Sequence, residues 1–266
     1  MNIRRSFAIV LRIFYLMRGS FTRVFPLFAW AAIDIILWGF ITRYLDTVQS
    51  TFNFVSTLLG AVLLWDFFTR AMFGISTSFF EDVWSRNFLN IFATPLRLSE
   101  YLVGLVAASM MTSVIGLVVM LVLATVVFGL WIFSYGVLVV VIVLGLFLFG
   151  IAFGIFAIGI VLRLGPAAEW FIWPMPAVLA PIAAVFYPVS ALPNWLQLIA
   201  RLLPASYLFE CLRALVARRP VPMEELWTGC ALAGVYVVLA SWFFRGMYLH
   251  AVRTGLVARY SAETVS

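Results

Sequence analysis

Charged side chains are scarce in this chain, so those inside its apolar runs are the first candidates for chemistry. Asp34 falls in the middle of one apolar run, and Asp66 and Arg70 fall deep in the next. An ionisable group at such depth costs about 2.5 to 3.5 kcal/mol on insertion scales and ordinarily faces protein or a watery cavity. Asp66 and Arg70 are four residues apart and can pair on one helical face, which accounts for both without a role in transport. Asp34 has no partner within its own helix. It therefore meets an arginine from elsewhere or borders a path through the protein.

A second concentration of polar groups is the stretch EDVWSRNFLNIFATPLRLSEYLVG at residues 81–104, with five charged side chains and a Thr-Pro step between two apolar runs. Two spans need only a short connection, so about twenty structured polar residues there suggest an element built to dock onto something outside the bilayer. Phe88, Leu89, Ile91 and Phe92 offer an apolar face to a partner, with Glu81, Asp82 and Arg86 as charges on its rim. The alternative is that Glu81 to Arg86 simply end the preceding span in water.

Other chemistries are excluded by what is missing. All seventeen basic residues are arginine. Without lysine there is neither a P-loop nor Schiff-base chemistry in these residues, and a single His250 provides no histidine cluster for a transition metal. Cys211 and Cys230 do not make a disulfide framework. The formal charge of +6 does not mark a nucleic-acid binder, because the arginines sit at the ends of apolar segments and form no continuous basic stripe.

These candidates must be positioned by membrane-spanning helices. With 65% hydrophobic and 11% charged residues, a chain of 266 cannot hide its apolar side chains inside a water-soluble globule. Residues 101–162 carry no charge at all. As one helix they would run roughly 90 Å, against about 30 Å of hydrocarbon, so they must fold back once. The sequence FGLWIFSYG at 128–136 is the expected reversal, with Gly129 and Gly136 permitting the turn.

The pattern predicts an all-α integral membrane protein with six transmembrane helices at about 24–41, 55–79, 101–128, 136–162, 169–187 and 226–244, within a domain of 24–248. A polar link holding Arg43, Asp46, Gln49 and Asn53 separates the first two. Prolines 174, 176 and 181 predict a kinked or interrupted fifth span. An amphipathic interfacial helix precedes the spans in residues 1–23, with Ile3, Phe7, Val10, Phe14 and Met17 on one face and Arg4, Arg5 and Arg12 opposite. The alternative there is a disordered basic tail. Arginines at 4, 5, 12 and 18 argue against a cleavable signal peptide.

Residues 81–100 form the loop between spans 2 and 3, and 188–225 an outer loop with re-entrant or short helices, one of them within 191–203. Residues 249–266 form a tail. The acid-free arginine cluster at the start favours cytoplasmic termini. Gly150 and Gly154, a GxxxG extended by Gly145 and Gly159, signal close helix packing. Trp30, Trp38 and Trp242 are expected at the interface or facing lipid.

Two stretches resemble the transmembrane permease subunits of ABC-2 type exporters. SRNFLNIFATPLRLSEYLVGL is similar to that family's cytoplasmic coupling segment, with Thr94, Pro95 and Leu96 at its Thr-Pro-Leu step and Glu100 opening the next span. YPVSALPNWLQLIARLLPASYLFECLRAL is similar to its outer segment, through Leu192, Pro193, Trp195, Leu203, Pro204, Tyr207 and Arg213. Ala205 after Pro204 and Tyr187 before Pro188 depart from the usual pattern and leave the subgroup open.

The resemblance implies a subunit in the bacterial inner membrane that pairs with a second copy or a related permease. It would move a drug, lipid or polysaccharide outward. It would hold no cofactor, since ATP and magnesium would bind a separate ATPase pressing on the coupling segment. Two rivals are a proton-coupled secondary transporter using Asp34 and Asp66, and a membrane enzyme acting on lipid-linked substrates. The first would ordinarily show an internal repeat and the second a convergent polar cluster; neither is found in the sequence.

Overall fold

The computed structural model describes residues 2–48, 55–85 and 87–256, and every regular element among them is helical. In chain order the helices are α1 Ile3–Arg18, α2 Phe21–Val48, α3 Gly60–Trp84, α4 Phe88–Ala93, α5 Leu98–Phe128 and α6 Leu138–Leu164. They continue with α7 Met175–Ile182, α8 Asn194–Ala200, α9 Pro204–Val216 and α10 Met223–Arg253. A π-helical turn, Val55–Leu59, leads into α3. Among the described residues, α2, α3 with the turn before it, α5, α6 and α10 are long and apolar enough to cross a bilayer. The protein is a multi-pass, all-helical integral membrane protein.

Glycine decides how its centre packs. The most apolar stretches of α3 and α6 are 67% and 61% buried, against 19 to 22% for α2, α5 and α10, so two central helices are wrapped by three that present apolar surface outward. A Cβ on Gly150 would lie 2.7 Å from the Phe68 carbonyl oxygen, and one on Gly154 would lie 2.9 Å from that of Met72. The GxxxG of α6 thus lets its backbone approach α3 more closely than any side chain would allow, as expected for small residues in a membrane interface. The hairpin between α5 and α6 turns where the glycines predict. Gly129 ends α5 in the left-handed conformation at φ 70°, with the Leu130 N–H reaching back to the Ala124 carbonyl, and Gly136 has φ 84°.

Three boundaries differ from expectation. The helix α2 runs unbroken to Val48, so Arg43 and Asp46 lie on it and not in a link; Gln49 and Asn53 fall outside the described residues. The final helix starts slightly before 226 and runs well past 244, to Arg253. The stretch expected as span 169–187 holds a 3₁₀ turn, Pro166–Phe171, and then only the eight residues of α7, about 12 Å of helix. Three prolines in eight residues, 174, 176 and 181, remove amide donors and prevent one continuous helix.

The path of the chain through this broken stretch is still directed. Cys230 lies against Gly145, and Phe243 against Gly159, so α6 and α10 run parallel. The intervening segment must therefore bring the chain back along the bundle. Ala168 and Ile172 pack in the apolar cluster that holds Ile9 and Ile158, whereas Ala180, Ala183 and Val185 pack in the one that holds Leu63 and Leu208. The reversal after α7 places Ala184 at φ 51°. The Arg213 guanidinium holds it, donating to the Ala184 and Val185 carbonyls at 3.0 and 3.2 Å. Beside it Glu210 accepts the Val189 N–H at 2.7 Å. Within 191–203 the chain forms the seven-residue helix α8.

Candidate functional site

The segment between α3 and α5 is built into the protein by charges from α1. Asp82 is 1% exposed, accepts a hydrogen bond from the Arg12 guanidinium, and takes a second from the Tyr101 hydroxyl at 2.7 Å. Glu100, also 1% exposed, is the N3 residue of α5. One of its oxygens accepts the Arg97 N–H at 3.0 Å and the other the Asn2 N–H at 2.6 Å. A single carboxylate thus caps two helix starts, satisfying amides that would otherwise have no partner. Arg5 lies 3.6 Å from Glu100 and donates to the carbonyl of Pro95. Asn2, Arg5 and Arg12 therefore tie α1 to the end of α3 and the start of α5, and Arg5 also reaches the Thr-Pro-Leu step between them.

This clamp revises several expected roles. Asp82 was expected on the rim of a partner surface, but its carboxylate is turned inward, because a buried charge needs the guanidinium and hydroxyl that α1 and α5 supply. Ile91 is buried in the protein's own apolar cluster, and Leu96 packs against that cluster. Glu81 keeps a half-exposed position, 3.6 Å from Arg23. Thr94 and Pro95 are exposed, the Thr94 hydroxyl donating to the Ile91 carbonyl at 2.6 Å. Phe88, Leu89 and Phe92 lie on α4, but their side chains, like all of Arg86, fall outside the described residues.

The amphipathic helix α1 also has a face that its sequence pattern does not single out. Ile3, Phe7 and Phe14 are exposed, while Ser6, Ile9 and Ile13 are buried. A Cβ on Gly104 would lie 2.6 Å from that of Ile9, so α1 rests directly on the backbone of α5. The positions 6, 9 and 13 follow helical spacing and could have been found as a second stripe beside the first.

Below the clamp lies a cavity of about 420 Å³, walled by α1, α2, α3, Thr112 of α5 and Trp173. It brings together all three ionisable residues singled out inside the apolar runs. Arg70 pairs with Asp66 through its Nε and, at 3.4 Å, through a terminal nitrogen. Its aliphatic stem crosses Gly116 of α5, where a Cβ would meet Arg70 Cδ at 2.9 Å. Asp34 reaches the same space from α2 and feels the Arg70 charge, but makes no hydrogen bond or ion pair among the described residues. Asp34 thus shares a cavity with an arginine from another helix without pairing with it.

Around these charges are aromatic rings and hydroxyls. Trp30 is 63% exposed, as a lipid-facing residue would be, yet it lines the cavity as well. Phe73 and Trp173 form a tilted ring pair with centroids 4.9 Å apart. Trp38 stacks on Phe186 at 5.5 Å, and Trp242 is exposed. Ile13, Leu16 and Met17 of α1 cover one side of the cavity, and the Arg23 and Glu81 pair lies at that end. Cys211 is a free, buried thiol in α9, its pKa pushed up to about 12, chiefly by burial, which makes it unreactive at neutral pH. Among the described residues no three of His, Cys, Asp and Glu gather to hold a metal ion. No protein-family model matches the chain, and no curated protein matches it.

Proposed function

We propose that this chain is the permease subunit of an ABC-2 type exporter in a bacterial inner membrane, moving an amphipathic or lipid-linked substrate outward when a separate ATPase drives it. One observation carries the reading. The connection holding the Thr-Pro-Leu step is tied by Arg5, Arg12 and Glu100 to α1, and α1 covers the cavity that holds Asp34, Asp66 and Arg70. A partner can shift a conformational equilibrium only through its differential affinity for two states, so force has to arrive through a stiff connection. Salt bridges and a two-helix cap are such a connection. Pressure on α4 and Pro95 would move α1 and change access to the cavity.

In this reading the two termini face the cytoplasm, ATP and magnesium belong to the partner, and the permease works as a pair of like or related chains. The segment 166–185, which runs from one apolar cluster to the other, would in this reading serve as the sixth crossing in broken form. Co-purification with candidate P-loop ATPases tests the proposal. The partner should bind, and Pro95→Ala and Phe92→Ala should uncouple ATP hydrolysis from export. Absence of any bound ATPase, or export under a proton gradient without ATP, would sink it. The second outcome would favour proton-coupled transport, which draws its support from Asp34 and Asp66 lining one cavity.

A further inference from the structure

The lining of the cavity has a sign and a hydrogen-bonding character, and together they select a ligand. Two arginines, Arg23 and Arg70, and three acids, Asp34, Asp66 and Glu81, border it. Arg70 is paired with Asp66 and Arg23 lies beside Glu81, which leaves the charge of Asp34 over. The hydroxyls agree with that sign. Thr69, Thr77, Ser78 and Thr112 donate to the carbonyls of Trp65, Phe73, Gly74 and Ser109 of their own helices, at 2.7 to 3.0 Å. Their protons are committed, so these oxygens offer lone pairs as acceptors.

The rings of Trp30, Phe73 and Trp173 also line the cavity, and an aromatic ring attracts a cation brought over its face. Carboxylate, lone pairs and ring faces all complement one kind of group, a cation bearing N–H donors on an apolar aromatic body. A drug-sized ligand also fits a cavity of this volume.

We propose that the cavity is a binding site for a protonated alkylamine carried on an aromatic body, with Asp34 as the anionic anchor and Trp30 and Trp173 as ring contacts. The assignment rests on the exporter reading for its physiological sense, naming the substrate class that would load from the α1 side. Its test does not depend on that reading, since it measures binding to the chain alone. Dansylcadaverine, a primary alkylamine tethered to a fluorescent aromatic ring system, is titrated into the full chain in nanodiscs of zwitterionic lipid. Its N-acetylated form, identical but uncharged, serves as the reference.

Saturable binding of the amine should be about tenfold tighter than that of the acetylated form. In Asp34→Asn that preference should vanish, while Asp34→Glu keeps it. Trp30→Leu should weaken the amine about fivefold. Equal binding of the two probes by the unaltered chain, or an undiminished preference in Asp34→Asn, overturns the proposal. Should Asp34→Asn fail to fold, the probe ratio on the unaltered chain and on Trp30→Leu decides. Loss of the preference for the amine in a chain that still binds an ATPase would refute the ligand and spare the exporter. The converse result would do the opposite.

Discussion

The clamp at the start of α5 and the cavity beneath it use the same two kinds of charge to opposite ends. In the clamp, Arg12 and Asp82 are seventy residues apart in sequence and Asn2 and Glu100 ninety-eight, so each bond closes a long loop of chain and fixes one element to another. Its carboxylates are fully occupied. In the cavity the salt bridge between Asp66 and Arg70 is local, within one helix, and the Arg23 and Glu81 pair at its end is half-exposed. One carboxylate, Asp34, is left facing open space. Charges that join distant elements build a lever, whereas charges that satisfy their own helix leave a neighbour free to meet a ligand.

Substitutions can break this contrast in order of size. Asp82→Ala should have the largest effect, about 3 kcal/mol, because it strands the Arg12 guanidinium beside a buried site. Thermal unfolding in detergent, with limited proteolysis at α1, reads it; an unchanged melting curve and a protected α1 would show that the clamp carries no load. Gly116→Ala comes next, at about 1 kcal/mol, since its methyl lies too close to Arg70 and must push that side chain into the cavity. It should leave α1 as protease-resistant as before while changing probe binding. If it also released α1, the two regions would not be separable. A double-mutant cycle on Arg23 and Glu81 should give the smallest value, below about 0.5 kcal/mol, because both side chains are more than one-third exposed. A coupling several times larger would place that pair with the clamp.

Composition alone made this a helical membrane protein, and local pattern located most of its helices. Residues 128–136 turn where two glycines allow it, and the GxxxG of α6 meets α3 as small residues in lipid predict. The i,i+4 pairing of Asp66 with Arg70 was legible too, because helix geometry alone brings them together. The broken stretch after α6 was half legible. Its prolines announced an interruption, but where the chain goes afterwards depends on α10 running parallel to α6.

What only tertiary structure decided is everything that depends on contacts remote in sequence. Asp82 reads as a surface acid at the end of a span until Arg12 and Tyr101 arrive to bury it. Glu100 reads as an ordinary helix-start acid until Asn2 reaches it. Asp34 reads as an isolated charge until α3 brings Arg70 and a cavity beside it. In each case the residue's own neighbours in the chain set its helix and its depth. Its partner is set by how helices pack, and that packing is governed by apolar and glycine contacts far from the charge itself.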